Sequence, residues 1–421
     1  MLIGQFTYNI FKAVGRTLKK HYLYRMQKYF TLLFVISVAV MDYMAYRKLL
    51  RNGAGKKSRR LFSFSVIVAN ILPVIAALCM FVFTTVENCT VMMKVSMVLF
   101  TLFILLTLIR LFFYPFWLFT SNKRWIACGV LLSSFTFVTY LYSVFVTRCD
   151  YERKEVEIAF SNLPSSFDGY RIAFVSDIHL GSMYNLESEL SDFVNEIKKA
   201  NADIILFGGD LVNLHYSELT PEVIRHLSAV KGKEKTIAVL GNHDTGTYVS
   251  NKKEEINIHD VNSLQSRIDS CGWLLLRDST VYLYKGNDSI AVTGVDYSEE
   301  LLKHKHNFGN VSDFDVSRIY EGTDTSVFNI TLSHLPQLWY SLCDGGYSDL
   351  TLSGHIHAMQ FKVSLLGAVF SPGQFMYNEW SGLYERDKGK LYITDGIGTV
   401  AYYARIGARP EITVITLKKE Q

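Results

Sequence analysis

Four long apolar stretches before residue 150 constrain the fold of this chain more than any other feature. They run from Tyr29 to Met44, Leu61 to Val86, Val91 to Ile109 and Trp125 to Val146. A helix that crosses a bilayer needs about 20 apolar residues, and the second and fourth stretches meet this requirement. The third contains Lys94 and stops before Arg110, at positions where long cationic side chains can reach the interface. The first is short and contains Asp42, so the number of spans is three or four.

The composition agrees with a membrane region confined to residues 1–147. Hydrophobic residues make up 49% of the 421 residues, and the mean hydropathy of +0.15 is high for a soluble protein. A buried helical core is the alternative reading, but the lengths of the stretches and their flanking charges disfavour it. The segment Leu111 to Phe119, rich in aromatics and interrupted by Pro115, is expected to lie at the interface.

The basic residues between the stretches predict the orientation in the membrane. The link between the first two stretches contains seven of them: Arg47, Lys48, Arg51, Lys56, Lys57, Arg59 and Arg60. The link between the third and fourth contains Lys123 and Arg124. Because such clusters stay in the cytoplasm, the chain should leave the fourth helix on the outside. The basic N-terminal tail fits this orientation if the first stretch lies in the interface, or if the true start is Met26.

Residues 148–421 have a different composition and predict a layered α/β domain. Short β-rich runs alternate there with amphipathic stretches, and no repeat or low-complexity segment is visible. The predicted strands include Arg171 to Val175, Asp203 to Phe207, Thr236 to Leu240, Val327 to Leu332 and Asp349 to Leu352. The expected fold class is therefore α/β, preceded by an α-helical transmembrane region.

A polar cluster follows each of these five strands. In chain order the clusters contain Asp177 and His179; Asp210; Asn242, His243 and Asp244; His334; and His355 and His357. Ligands bind beyond the carboxyl ends of strands in open α/β sheets, so we expect the five clusters to meet at one edge. Alternate residues of an extended chain point the same way, which would let each Asp-x-His or His-x-His pair face one site. Nitrogen and oxygen donors without cysteine suit divalent Mn, Fe, Zn or Mg.

The ordered motifs DIH, GGD, GNHD, SH and GHIH resemble those of the calcineurin-like metallophosphoesterase family. The resemblance runs from about Tyr170 to the C-terminus and implies a β-sandwich flanked by helices. The segment from Gly382, with Tyr392, Asp395 to Gly398, Arg405 and Pro410-Glu411, is similar to a bacterial, membrane-associated branch that includes UDP-diacylglucosamine hydrolases. This similarity implies a protein of the bacterial inner membrane, and the basic links described above predict that its catalytic domain is extracytoplasmic.

The resemblance also implies a role for each residue of the motifs. One metal ion would be held by Asp177, His179, Asp210 and His357, and the other by Asp210, Asn242, His334 and His355. His243 would sit beside the two ions without binding them. Such a pair of cations can activate a water and clamp the phosphoryl oxygens during in-line displacement, while His243 protonates the leaving oxygen or stabilises the developing charge.

One position departs from the family pattern. Several members have an acidic residue three positions after the bridging aspartate, where it orients the catalytic histidine, but this chain has Asn213. If His243 requires a carboxylate partner, that partner must come from elsewhere in the chain.

These features predict a membrane-anchored hydrolase of a phosphomonoester, phosphodiester or pyrophosphate, with a phosphorylated small-molecule or lipid substrate. A catalytically silent sensor or scaffold that binds metal or phosphate is the alternative from another class. A nuclease is disfavoured, because the net charge is only +4 and no basic stripe accompanies the motifs. A transporter is also disfavoured, because the apolar stretches contain few charges.

Overall fold

The structure is a computed structural model that describes residues 20–249, 256–302, 311, 314–387 and 389–420. Four long helices come first: α1 (Lys20–Arg51), α2 (Lys56–Phe81), α3 (Cys89–Phe119) and α4 (Lys123–Phe145). The described residues contain three helices that are long and apolar enough to cross a membrane, at Lys56–Phe81, Cys89–Phe119 and Lys123–Cys149. The first predicted stretch lies within α1, which is not among these three. The basic residues Lys12, Arg16 and Lys19 of the N-terminal tail lie outside the described residues.

The prediction that Pro115 interrupts the segment Leu111 to Phe119 is wrong. Helix α3 continues through this segment to Phe119 and includes Pro115. The carbonyl oxygens at its C-terminal end, which have no partner within the helix, are met by an outside donor: the Lys48 ammonium bonds the backbone oxygens of Trp117 and Thr120. This contact also ties α1 to α3.

The charge inside the first apolar stretch, Asp42, pairs with Arg110, which directly follows the third stretch. Asp42 of α1 is buried, and its carboxylate lies 2.9 Å from the guanidinium of Arg110 on α3. Asn70 and Tyr114 also bond this carboxylate, at 3.0 Å each. This ion pair and these hydrogen bonds offset most of the free-energy cost of burying the Asp42 carboxylate among apolar helices.

The domain that follows contains two six-stranded sheets. The first has the order β1-β14-β2-β3-β4-β5, and the second has the order β12-β13-β9-β8-β7-β6. The strands of the first sheet are β1 (Glu152–Phe160), β2 (Arg171–Val175), β3 (Ile204–Phe207), β4 (Lys235–Ala238), β5 (Leu274–Leu275) and β14 (Glu411–Lys419). Those of the second are β6 (Ser279–Lys285), β7 (Asp288–Gly294), β8 (Asn329–Leu332), β9 (Leu350–Ser353), β12 (Gly382–Arg386) and β13 (Gly389–Ile393).

The two sheets pack face to face around an apolar core that includes Phe174, Ile237, Val292, Ile330 and Leu352. The helices are α5 (Leu186–Lys198), α6 (Pro221–Leu227), α7 (Ile258–Ser270), α8 (Glu299–Leu302) and α9 (Trp339–Asp344). Several of them cover the other face of the first sheet, where Phe193, Leu227 and Leu264 form part of a second core. This arrangement is the predicted layered α/β sandwich.

All five predicted strands are present as β2, β3, β4, β8 and β9, with ends that differ from the prediction by no more than two residues. The parallel strands β2, β3 and β4 belong to the first sheet, whereas β8 and β9 belong to the second. The polar clusters therefore come from two facing sheets, and the prediction of a single sheet edge needs this correction. A third, two-stranded sheet of β10 (Val363–Leu365) and β11 (Ala368–Phe370) stands apart from both.

Loops of the sandwich pack directly on the helices. Leu214 and Tyr403 are buried against Cys89, Met93 and Met97 of α3. A second contact is made by Ala404, which is buried with Leu105 of α3 and Tyr140 of α4. The backbone N–H of Tyr403 donates to the Thr101 hydroxyl at 2.9 Å. The domain is therefore fixed to the helices by both apolar contacts and hydrogen bonds.

Candidate metal centre

The structure brings the predicted ligand residues together at one end of the sandwich. Three overlapping groups have ligand atoms within 4.8 Å of one another: Asp177, His179 and His357; His179, Asp210 and His243; and Asp210, His334 and His355. Asp210 and His179 each belong to two groups. The side chains therefore form one continuous cluster rather than separate sites.

The first half of the cluster contains Asp177, His179 and His357. Asp177 Oδ1 lies 3.1 Å from His357 Nε2, and the Nε2 atoms of His179 and His357 are 3.2 Å apart. His179 Nε2 is also 3.6 Å from Asp210 Oδ2. All four side chains are buried. Two carboxylates and two imidazole nitrogens thus converge on one small volume.

The second half contains Asp210, Asn242, His334 and His355. His334 Nε2 lies 3.2 Å from Asp210 Oδ2 and 3.1 Å from Asn242 Oδ1. Asn242 Oδ1 is also 2.9 Å from His355 Nδ1. The backbone oxygen of Gly208 lies 2.9 Å from His334 Nδ1, and a proton on that nitrogen leaves Nε2 with a lone pair for a ligand.

The backbone at these residues is left-handed, not extended. The φ angles are +58° at Asp177, +46° at His179, +56° at Asp210, +73° at His355 and +53° at His357. The prediction that each pair converges because alternate residues of an extended chain point the same way is therefore wrong. Non-glycine residues in this region cost on the order of 1–3 kcal/mol each and concentrate at functional sites. The surrounding fold holds all five in this conformation.

Two glycines allow the ligand loops to approach each other. A Cβ atom on Gly241 would lie 2.1 Å from Asp210 Oδ1, and one on Gly354 would lie 2.2 Å from Asp177 Oδ2. Both distances are far inside van der Waals contact. The glycines of the GNHD and GHIH motifs are thus required by close contact with the two carboxylates.

The electrostatics keep the carboxylates ionised. Burial alone would raise the pKa of Asp210, but His334 and His243 hold it well below its usual range. The pKa of Asp177 is likewise lowered, because His357 outweighs the effect of burial. Burial would lower the pKa of His334, yet Asp210 beside it raises that pKa to about 9. Burial and the neighbouring His334 lower the pKa of His355 to about 3.

This donor set fits divalent cations. Buried, ionised carboxylates normally require a cation, and at this site the histidine rings and carboxylates direct their ligand atoms at one another. His179 is fully buried, and burial together with His243 lowers its pKa, so the ring is neutral and can bind a metal.

His243 is oriented by a backbone oxygen. Its Nδ1 lies 2.6 Å from the carbonyl oxygen of Asn213, and its ring stacks on Tyr248 at a centroid distance of 4.4 Å. The Asn213 side chain points the other way and contacts the Met93 sulfur on α3. Residue 213 thus orients His243 through its main chain, and the asparagine in place of an acid does not remove that support.

Two buried acids for which no role was predicted hold the loops around His243. The Asp244 carboxylate accepts bonds from the backbone N–H groups of Leu211, Val212 and Gly241 at 2.9–3.0 Å, and burial raises its pKa to about 7. The Glu218 carboxylate accepts bonds from four N–H groups, those of Gly181, Asn213, Leu214 and His215. The GNHD motif pointed to Asp244, but no motif pointed to Glu218.

Arg405, part of the predicted bacterial-branch segment, supports the other side of the cluster. It is fully buried and donates to the backbone oxygens of Asp395, Gly398 and Ala408. One of its nitrogens also lies 3.4 Å from His357 Nδ1. Arg405 therefore holds the C-terminal loop against a residue of the first half of the cluster.

Comparison with known proteins agrees with this geometry. Residues 170–359 match the family model for calcineurin-like phosphoesterases. Residues 170–359 therefore form a calcineurin-like metallophosphoesterase domain, and the similarity supports a metal-dependent phosphoric ester hydrolase.

Three curated relatives illustrate the range of similar proteins. The uncharacterized metallophosphoesterase YkuE of Bacillus subtilis is 29% identical over 292 residues, covering 66% of this chain and 90% of that protein. A zebrafish (Danio rerio) transmembrane protein with a metallophosphoesterase domain is 29% identical over 271 residues, 63% of this chain and 57% of its own length. The phosphodiesterase YaeI of Escherichia coli is 25% identical over 248 residues, 59% of this chain and 82% of that protein.

Proposed function

We propose that this protein is a membrane-anchored, two-metal phosphoesterase that hydrolyses a phosphomonoester, phosphodiester or pyrophosphate bond. The observation that carries the proposal is the convergence of nitrogen and oxygen ligand atoms from five strand ends. Asp177, His179, Asp210 and His357 would hold one divalent cation, and Asp210, Asn242, His334 and His355 the other. Asp210 would bridge the pair.

The two bound cations would supply an activated water and neutralise charge on the phosphoryl oxygens. His243 acts beside them. Because its Nδ1 is held by the Asn213 carbonyl, Nε2 is the atom that can serve the substrate. Burial lowers the pKa of His243, but a phosphoryl group bound next to the ring favours its protonated form. His243 would then donate its proton to the leaving oxygen.

The helices would anchor the domain on the outer side of the membrane. Helix α3 has 31 residues and is about 46 Å long, whereas the hydrocarbon core of a bilayer is about 30 Å thick. If Phe119 lies near the cytoplasmic face, the first turns of α3 project from the opposite face. Those turns contain Met93 and Met97, which touch the loop next to His243.

A lipid or cell-envelope phosphate is the substrate class that this placement favours. Asn213 and Leu214 contact α3, and they follow Asp210 in the chain by three and four residues. The metal cluster therefore lies close to the membrane helices. Substrates that partition into the bilayer would be concentrated at such a site, whereas soluble nucleotides would gain nothing from it.

The proposal is tested with full-length protein in detergent and chromogenic mono- and diester phosphates. We expect metal-dependent turnover that falls by about 10²–10⁴-fold in His243→Asn, the range for loss of a general acid or base. His259→Asn is the matched control, because the His259 side chain is 77% exposed, and it should retain full activity.

The ratio of the activity on the monoester to the activity on the diester shows which of these two bonds the protein prefers to cleave. Activity that is indifferent to His243→Asn would remove His243 from the mechanism. A metal-loaded, folded protein that turns over no phosphate ester, soluble or lipid-linked, would favour the sensor or scaffold reading over the enzyme.

A further inference from the structure

The two-stranded sheet of β10 and β11, residues 363–370, is an apolar hairpin that projects from the domain. Its sequence is Val-Ser-Leu-Leu-Gly-Ala-Val-Phe, without a charged residue. The exposed fractions are 69% at Leu365, 100% at Leu366, 44% at Val369 and 43% at Phe370. Soluble proteins rarely expose such a contiguous apolar surface without a partner.

The conformation of the hairpin is well defined. Val363 pairs with Phe370, and Leu365 pairs with Ala368. Leu366 and Gly367 form the turn, with φ angles of +52° and +81°. Positive φ at both central residues is typical of the tight turns that match the twist of two strands. A leucine at such a strained tip position, rather than asparagine or aspartate, places an apolar side chain at the outermost point.

The base of the hairpin is tied to the part of the domain that contacts the helices. Phe361 forms a parallel bridge with Ile406, and the Lys362 N–H donates to the Ile406 oxygen at 2.7 Å. Ile406 in turn packs against the cluster of Leu105, Tyr140 and Ala404. Tyr140 lies five residues before the end of α4, about 7.5 Å inside it. The base of the hairpin is therefore linked to the interior of the candidate spans, not to their ends.

A second exposed hairpin of the domain, formed by β6 and β7, has the opposite character. The turn between β6 and β7 has the sequence Lys285-Gly286-Asn287-Asp288, which is polar and suited to water. Tyr284 beside it is 74% exposed. This second hairpin lies on the sheet edge formed by β6, at the opposite end of the strand order from β12. Of these two hairpins, the one linked to the helices is apolar.

We infer that the apolar hairpin inserts into the lipid bilayer beside the membrane helices. It lies six residues after His357, one of the proposed metal ligands. If the proposed function is correct, an inserted hairpin would let a lipid-linked phosphate reach the metal cluster while its acyl chains remain in the membrane. Insertion itself is inferred from the exposure of the hairpin and from the link between its base and the helices through Ile406, not from catalysis.

Insertion can be measured with a tryptophan at the tip. Leu366→Trp and the control Tyr284→Trp would be reconstituted as full-length proteins in phosphatidylcholine vesicles with and without brominated acyl chains. After subtraction of the parent emission, the fluorescence from position 366 should be blue-shifted and quenched by the brominated lipid. The fluorescence from position 284 should show neither effect. An unquenched signal at 366 that iodide quenches as strongly as the signal at 284 would overturn the inference.

A kinetic test addresses delivery of the substrate. The double variant Leu365→Asp, Leu366→Asp would be compared with the parent on methyl and hexadecyl p-nitrophenyl phosphate, the second in vesicles. Because aspartate is strongly disfavoured in a bilayer, we expect a loss on the order of tenfold or more with the hexadecyl ester only. If the double variant hydrolyses both esters at the rates of the parent, delivery by the hairpin is refuted. A parent protein that hydrolyses neither of these diesters would refute the phosphodiesterase form of the proposed function, while the quenching result would still decide insertion.

Discussion

The metal cluster and the loops that face the helices are adjacent, but they are built on opposite principles. The ligand residues are polar, buried and held in a left-handed backbone conformation, as at Asp177 and His355. The helix-facing residues, Leu214, Tyr403 and Ala404, are apolar or aromatic and pack against α3 and α4. Asn213 belongs to both regions, because its carbonyl oxygen orients His243 and its side chain contacts Met93.

This difference predicts how each region responds to substitution. A metal site depends on the identity and position of a few donor atoms, so a displacement of about one ångström is costly. An apolar contact depends on area and volume, and conservative exchanges there cost little. We therefore expect small changes to abolish function in the first region and to alter mainly stability in the second.

Among the changes that compare the two regions, Gly241→Ala should have the largest effect. The added Cβ would lie 2.1 Å from Asp210 Oδ1, so the shared carboxylate or the GNHD loop must move. We expect metal affinity and turnover to fall by a factor on the order of 100. Gly55→Ala is the control, since a Cβ added there would have nothing within 4 Å of it. Equal metal content in the two variants would show that the cluster tolerates displacement, and the contrast between the regions would fail.

A smaller, different effect is expected at the residue that the two regions share. Asn213→Asp would place a buried carboxylate against the Met93 sulfur, at a cost of about 2 kcal/mol in the free energy of unfolding. Because burial raises the pKa of such a carboxyl, the loss of stability should grow as the pH rises. The variant and its exposed control Asn262→Asp would be compared by thermal unfolding at several pH values.

Turnover per folded, metal-loaded Asn213→Asp molecule should stay within about twofold of the parent, a change of less than about 1 kcal/mol in activation free energy. The reason is that the carbonyl, and not the side chain, orients His243. A clear gain in turnover would mean that a carboxylate at 213 can take over this task, and the division of roles at Asn213 would be wrong.

The smallest effect concerns the pH dependence of metal binding. Asp210 raises the pKa of His334 to about 9, so at neutral pH the metal-free protein holds a proton on that ring. A metal must displace the proton, and the apparent affinity should therefore rise by about tenfold per pH unit below pH 9. Calorimetry in buffers of different ionisation enthalpy would count the released protons. Metal binding without proton release would contradict this account of His334.

The sequence predicted the strands and the residues of the cluster, because motifs and apolar runs are local signals. The predicted strand Arg171 to Val175 has the observed bounds of β2, and every proposed ligand lies in the cluster. The left-handed backbone at Asp177 and the others could not be predicted, because it is imposed by contacts between distant loops such as those at Gly241 and Gly354.

The helix-facing region was not predicted at all. Leu214 reads as an ordinary apolar residue, and its contact with Met93 joins segments more than 100 residues apart in the chain. The interruption predicted at Pro115 was wrong for a related reason: a proline suggested a break in the helix, but the packed helix α3 accommodates it. Tertiary contacts decide both cases, and they leave no periodic signal in the sequence.

The most direct test of the central claim is the metal content of the purified full-length protein, measured by mass spectrometry for the parent, Asp210→Asn and Asp269→Asn. Asp210 is proposed to bridge both cations, whereas Asp269 is an exposed residue of α7. We predict about two divalent ions per chain in the parent and in Asp269→Asn, the number expected for a two-metal site, and fewer than one in Asp210→Asn. A folded parent protein that binds no metal, or an Asp210→Asn variant that keeps both ions, would contradict the two-metal account.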